Sequence, residues 1–137
     1  MTLFLTQEEV LRAHETQIAQ FGGSSGIRDL GLLESALSMP QASFGGTFLH
    51  ADHYEMAAAY LFHIVSNHPF VDGNKRTGMV AAVTFLDLNG YWFNEGNDAE
   101  LDDALESLVL SVACSEADKE DIAAFFRKHC PPCKQSG

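Results

Sequence analysis

His68-Pro69-Phe70-Val71-Asp72-Gly73-Asn74-Lys75-Arg76 is the stretch on which the fold turns. Upstream of it, from His53 to about Asn67, the chain is strongly helical and carries an Ala57-Ala58-Ala59 run. Pro69 ends that helix, because the residue before a proline is pushed out of the helical region. Downstream, the pattern predicts a second helix from about Asn74 to Asn89, closed by Gly90. Met79, Val80, Val83, Phe85, Leu86 and Leu88 cover most of its circumference. A helix apolar nearly all round belongs in the middle of a fold. The nine residues are therefore expected to form a turn between two core helices.

Working outward, Thr6 with Glu9 forms a capping-box signature. Val10, Leu11, His14, Ile18 and Phe21 then recur at helical spacing, which predicts a helix over residues 7–20. Gly22-Gly23 ends it, and Gly22 to Gly26 is the most flexible-looking stretch of the chain. Asp29 is placed to cap a helix carrying Leu32, Leu33, Ala36 and Leu37, which stops at Pro40. Residues 41–52, with Gly45, Gly46 and aromatics, are expected to be a loop, and a short strand fragment is expected near 91–94. Two amphipathic helices are expected over 98–113 and 118–129. Strands never alternate with helices, so no parallel sheet is expected. The expected architecture is an all-α, single compact domain over 1–137, with about six helices around a buried central helix and a mobile C-terminal tail at 130–137.

The length of 137 residues suits one domain with a real core, and 46% hydrophobic with 20% charged residues is a globular composition. Acidic residues number 19 against 8 Lys and Arg, for a net charge of -11. Such a surface repels phosphate backbones and argues against direct nucleic-acid binding. No apolar run approaches the roughly 20 residues of a membrane helix, so no membrane association is expected. The N-terminus has neither a basic region nor a small-residue cleavage site, which makes the cytoplasm the expected location. The three cysteines argue against a closed disulfide framework. Cys130-Pro131-Pro132-Cys133, with His129 beside it, has zinc or redox spacing, but zinc would need Cys114 brought close as a further ligand.

The turn carries the chemistry. His68 stands where a helix stops, Asp72 follows in the turn, and Gly73 opens the next helix with Asn74, Lys75 and Arg76 in its first turn. A helix N-terminus exposes unpaired N–H groups and the positive end of the dipole, so it is a ready anion site. Cations are normally disfavoured there, which makes sense of Lys75 and Arg76 if a phosphate is the occupant. Gly73 admits close approach of a ligand to the backbone. Asp72 is suited to Mg²⁺, and His68 has the pKa range to take a proton from a hydroxyl. Together these parts make a phosphoryl- or nucleotidyl-transfer site. On residue types alone a bland reading stands beside it: a helix-ending histidine, a core Phe70 and an Asp-Gly-Asn turn.

The nine residues resemble the Fic signature H-P-F-x-[D/E]-G-N-[G/K]-R. Gly26-Ile27-Arg28-Asp29, Leu32 to Leu37, Pro40-Gln41 and Phe85 to Gly90 are similar to the Doc (death-on-curing) branch of that superfamily. Lys75 stands where the AMP-transferring members usually have glycine, and Met79 where they carry a second arginine. Gly73 and Gly78 depart from the alanines of some Doc proteins.

The resemblance implies a toxin kinase of a toxin–antitoxin pair that phosphorylates a threonine of elongation factor Tu and blocks translation. By the same resemblance, His68 is the general base and Asp72 the Mg²⁺ ligand. Gly73, Asn74, Lys75 and Arg76 hold the phosphates of ATP, with Pro69 and Phe70 as motif support. Gly23, Ser24, Ser25, Gly26, Ile27 and Arg28 would form a flap that docks the target backbone. The inhibitory pattern [S/T]-x-x-x-E-[G/N] of self-restrained members is not met, since Glu95-Gly96 has Tyr91 four residues earlier. The resemblance thus implies a separate antitoxin filling the active-site groove. Alternative readings are transfer of AMP or another nucleotidyl group to a protein hydroxyl, and a catalytically inactive peptide-binding module.

Overall fold

A computed structural model describes residues 1–93 and 98–133. Among them are six helices: α1 Gln7–Phe21, α2 Leu30–Ser38, α3 His53–Asn67, α4 Asn74–Leu88, α5 Ala99–Ala113 and α6 Lys119–His129. The all-α expectation is met. Local chemistry sets most of the helix starts. Thr6, Asp29, Asp52, Asp98 and Asp118 each accept a backbone N–H of the following first turn, and Thr6 with Glu9 closes a full capping box. The N-cap of α4 is Gly73, with no side-chain cap.

The hub of the bundle is α3, which packs against α2, α4, α5 and α6. Ala57, Ala58, Ala59, Tyr60, Leu61 and Ile64 are all fully buried along it. The α4 helix lies beside it with Ala82, Phe85 and Leu86 inside, but Met79 and Val80 are half-buried and Leu88 is 42% exposed. One flank of α4 faces a cleft, which is why its all-round apolar pattern does not become all-round burial. Small residues let α3 and α4 close up: a Cβ on Gly78 would stand 3.0 Å from Val65 Cγ2 and 3.3 Å from the Leu61 carbonyl oxygen. Gly78→Ala should therefore destabilise the fold by about 1–3 kcal/mol through overpacking, read as a lower urea midpoint at unchanged slope.

Three local expectations change. The expected loop 41–52 contains a hairpin, β1 Ser43–Phe44 paired antiparallel with β2 Thr47–Phe48, turned by Gly45 and Gly46 at φ 60° and 82°. Two-residue strands are too short to show alternation in the sequence. The fragment expected near 91–94 is not a strand: Tyr91 makes one isolated bridge to Pro132, and Asn94 lies outside the described residues. The first residues of the expected mobile tail are held. Trp92 N–H donates to the Pro131 carbonyl, Cys133 N–H to the Gly90 carbonyl, and the Tyr54 hydroxyl to the Cys130 carbonyl at 2.7 Å. Residues 134–137 lie outside the described set. Burial pushes the Cys130 thiol up to about 12, which keeps it protonated. Among the described residues no three His, Cys, Asp or Glu side chains are grouped to share a metal ion, and no helix is long and apolar enough to cross a membrane.

The other histidines tie elements together. His53 contacts Thr2 Oγ1 and the Tyr91 hydroxyl, both at 2.9 Å, at the N-terminal end of α3. That end is about 22 Å along the helix axis from His68 at 1.5 Å per residue. His50 lines a separate cleft with Glu55, Lys119 and Arg127.

His63 is half-buried and accepts a hydrogen bond at Nε2 from Lys119 Nζ at 3.2 Å. Burial, then the charges of Lys119 and His50, lower its pKa to about 4. In the unfolded chain the imidazole takes up a proton below about pH 6.5, but in the folded protein only below about 4. Stability present above pH 6.5 is thus lost as the pH falls towards 4. Discounted for solvent screening, the loss is about 1–2 kcal/mol. His63→Gln should lose that much less than the wild type when urea midpoints are compared between pH 7 and 4.

Candidate active site

His68 caps the C-terminus of α3 in the left-handed conformation, φ 52° and ψ 53°, and its side chain is exposed. A non-glycine residue held there is strained, and such strain gathers at functional sites. The end of α3 is braced by Arg28, whose Nε donates to the His68 carbonyl at 2.7 Å and whose NH2 donates to the Asn67 carbonyl at 2.9 Å. A guanidinium satisfies the orphan carbonyls and the negative end of the dipole at once.

The turn that follows is paired to the loop between α1 and α2. Ile27 and Phe70 form an antiparallel bridge, Val71 N–H donates to the Gly26 carbonyl, and Arg28 and Asp29 N–H both donate to the Pro69 carbonyl. The stretch expected to be the most flexible is thus partly zipped onto the motif. Phe70 is fully buried, and Asn74 grips its backbone: Phe70 N–H donates to Asn74 Oδ1 at 2.9 Å, and Asn74 Nδ2 donates to the Phe70 carbonyl at 3.0 Å.

Asp72 projects its carboxylate into solvent. Oδ1 accepts from Gly73 N–H at 3.0 Å and Oδ2 from Ser24 N–H at 3.3 Å, which leaves further lone pairs free to bind. Gly23 lies so close that a Cβ would meet Asp72 Oδ2 at 2.8 Å, so only glycine fits there without a shift. His68, Asp72, Gly73, Asn74, Lys75 and Arg76 line one cleft of about 580 Å³, closed on its sides by Gly22 and Gly23 and by Val112 and Ser115 at the end of α5. The Arg76 guanidinium lies 4.1 Å from the Phe21 ring centroid, at the C-terminal end of α1.

The residues picked out by sequence are brought together, but two have different duties from those expected. Both polar atoms of the Asn74 side chain hold Phe70, which leaves its backbone N–H and the second Nδ2 hydrogen to face a ligand. Arg28 is committed to the end of α3, and of the remaining flap residues only Gly23 lines the cleft, while Ser24, Ser25, Gly26 and Ile27 do not. Sequence reasoning missed His14, which is 3% exposed in α1 and bonded through Nε2 to the Asp72 carbonyl at 2.7 Å. The available signal was a polar residue on the apolar face of that helix.

The arrangement fits a phosphate and a divalent cation. The first-turn N–H groups of α4 have no side-chain cap, two cations flank them, and a carboxylate with free lone pairs stands across the opening.

The Fic/DOC family model matches residues 4–86. Toxin Doc of Mycolicibacterium smegmatis is 40% identical over 124 residues, 90% of this chain and 91% of that protein. Protein kinase doc of Escherichia phage P1 is 28% identical over 124 residues, 90% of this chain and 93% of that protein. With the signature turn seated between two core helices at the cleft, and likeness running along nearly the whole chain, this protein belongs to the Fic/DOC family.

Proposed function

We propose that the chain is the toxin of a toxin–antitoxin pair, a kinase that moves the γ-phosphate of ATP to a hydroxyl of a protein target, with a threonine of elongation factor Tu as that target. The observation that carries the reading is the uncapped N-terminus of α4 opening on the same cleft as His68 and Asp72. The names of the two relatives, a toxin and a protein kinase, point the same way.

In this reading His68 accepts the proton of the target hydroxyl as it attacks, and its exposed position at the cleft suits an incoming protein side chain. The N–H groups at the start of α4, with Lys75 and Arg76, bind the phosphates and take up the charge that develops in transfer. Asp72 would hold Mg²⁺, which when bound neutralises phosphate oxygens. Gly23 lines the cleft, and with Ser24, whose N–H is bonded to Asp72, it offers the edge against which the target backbone docks. A cognate antitoxin inhibits by filling the same groove, and the cytoplasm is the place of action.

The test is label transfer in bacterial lysate, run in parallel with ATP labelled at the γ- and at the α-phosphate. We expect γ label on a band the size of elongation factor Tu. Label from α would instead establish AMP transfer, and no label from the folded protein would leave a binding module.

A further inference from the structure

We infer that His14 is a positioning residue that clamps the Asp72 turn from beneath. Three contacts converge on its ring. Nε2 lies 2.7 Å from the Asp72 carbonyl oxygen. A carbonyl only accepts, so the proton sits on Nε2 and the ring is the donor. The imidazole stacks on Phe70 with centroids 3.8 Å apart and planes 7° from parallel. Gly73 completes the contact, since a Cβ there would come within 3.6 Å of His14 Cδ2 and Nε2. The ring is 3% exposed, so the bond to Asp72 is made in a dry environment where it holds firmly.

The consequence lies in the peptide plane that follows Asp72. Fixing the Asp72 carbonyl fixes the Asp72–Gly73 peptide, whose N–H is the donor to Asp72 Oδ1. One hydrogen bond from α1 thus sets the direction of the carboxylate and the entry into α4, across 58 residues of sequence. Asn74 holds Phe70 from the α4 side and His14 holds it from the α1 side, so the turn is gripped by both helices. The effect on transfer rests on the function proposed above. The effect on the turn does not.

Two variants separate the parts. His14→Phe keeps a stacked ring and the core volume but removes the donor. His14→Gln keeps an amide donor at similar reach and removes the stack. The first readout is amide hydrogen exchange in the ligand-free protein. Exchange at Phe70, Val71 and Gly73, whose N–H groups are hydrogen-bonded, should rise about tenfold or more in His14→Phe, with α3 and α5 unchanged, and should fall back towards wild type in His14→Gln. The second is the Mg²⁺ concentration needed for half-maximal label transfer, which should rise severalfold in His14→Phe and recover in His14→Gln.

Unchanged exchange at Phe70, Val71 and Gly73, or a uniform rise along the whole chain, would overturn the inference and leave His14 a plain core residue. Should His14→Phe not fold, exchange in His14→Gln decides: protection at Phe70, Val71 and Gly73 close to wild type supports the clamp, and loss equal to that of the core refutes it. Local exchange as expected, with no label transferred by the wild type, would sink the proposed kinase while the clamp stands.

Discussion

Alanine at His68 should lower phosphate transfer by about 10²–10⁴-fold, the usual contribution of a positioned general base. The melting temperature should stay within a few degrees of wild type. The two outcomes separate because His68 is exposed and its main-chain bonds survive the change: its N–H donates to the Ile64 carbonyl and its carbonyl accepts from Arg28. Its left-handed conformation, φ 52°, is as uncomfortable for alanine as for histidine, so removal of the imidazole neither relieves nor adds much backbone strain. Initial rates with γ-labelled ATP, beside thermal melts of the same preparations, check both halves. A variant within fivefold of wild-type rate would remove His68 from the chemistry.

Asn74→Ala should act in the opposite manner, through stability first. Asn74 is 4% exposed and Phe70 fully buried, so the substitution strands the Phe70 N–H and carbonyl in the interior. Buried groups left without partners cost about 1–3 kcal/mol each, which places the loss of both at about 2–6 kcal/mol. At this chain length that lowers the melting temperature by roughly 10 °C. Asn74→Asp should fare no better, because a carboxylate would set a second acceptor against the Phe70 carbonyl. Lys75→Ala is the useful contrast: its side chain is exposed, so it should lose transfer with almost no loss of stability. Urea unfolding of the three variants sorts them, and an Asn74→Ala protein within 1 kcal/mol of wild type would show that the clasp contributes little.

Much of the molecule is legible in the residues alone, and for one reason. The start of α1 with its Thr6–Glu9 capping box, the Asp29 cap of α2, the span of α3 from His53 to Asn67 and its stop at Pro69 are all set by side chains within a few positions of the bonds they make. The nine-residue turn is legible for the same reason: its chemical types stand side by side, and a helix N-terminus opens where Gly73 is. What only the tertiary structure decided is which of those groups remain free. Asn74 looks like a phosphate ligand in a string of letters, and folding spends its side chain on Phe70. Arg28 looks like part of a flap, and folding sets it on the carbonyls of Asn67 and His68, about 40 residues away in sequence. His14 looks like one more member of a helical stripe until α1 packs beneath Asp72. The pairing of Ile27 with Phe70 and the docking of Pro132 on Tyr91 belong to the same group. Hydrogen bonds between distant segments leave no periodic trace along the chain, so they become visible only when packing brings the partners together.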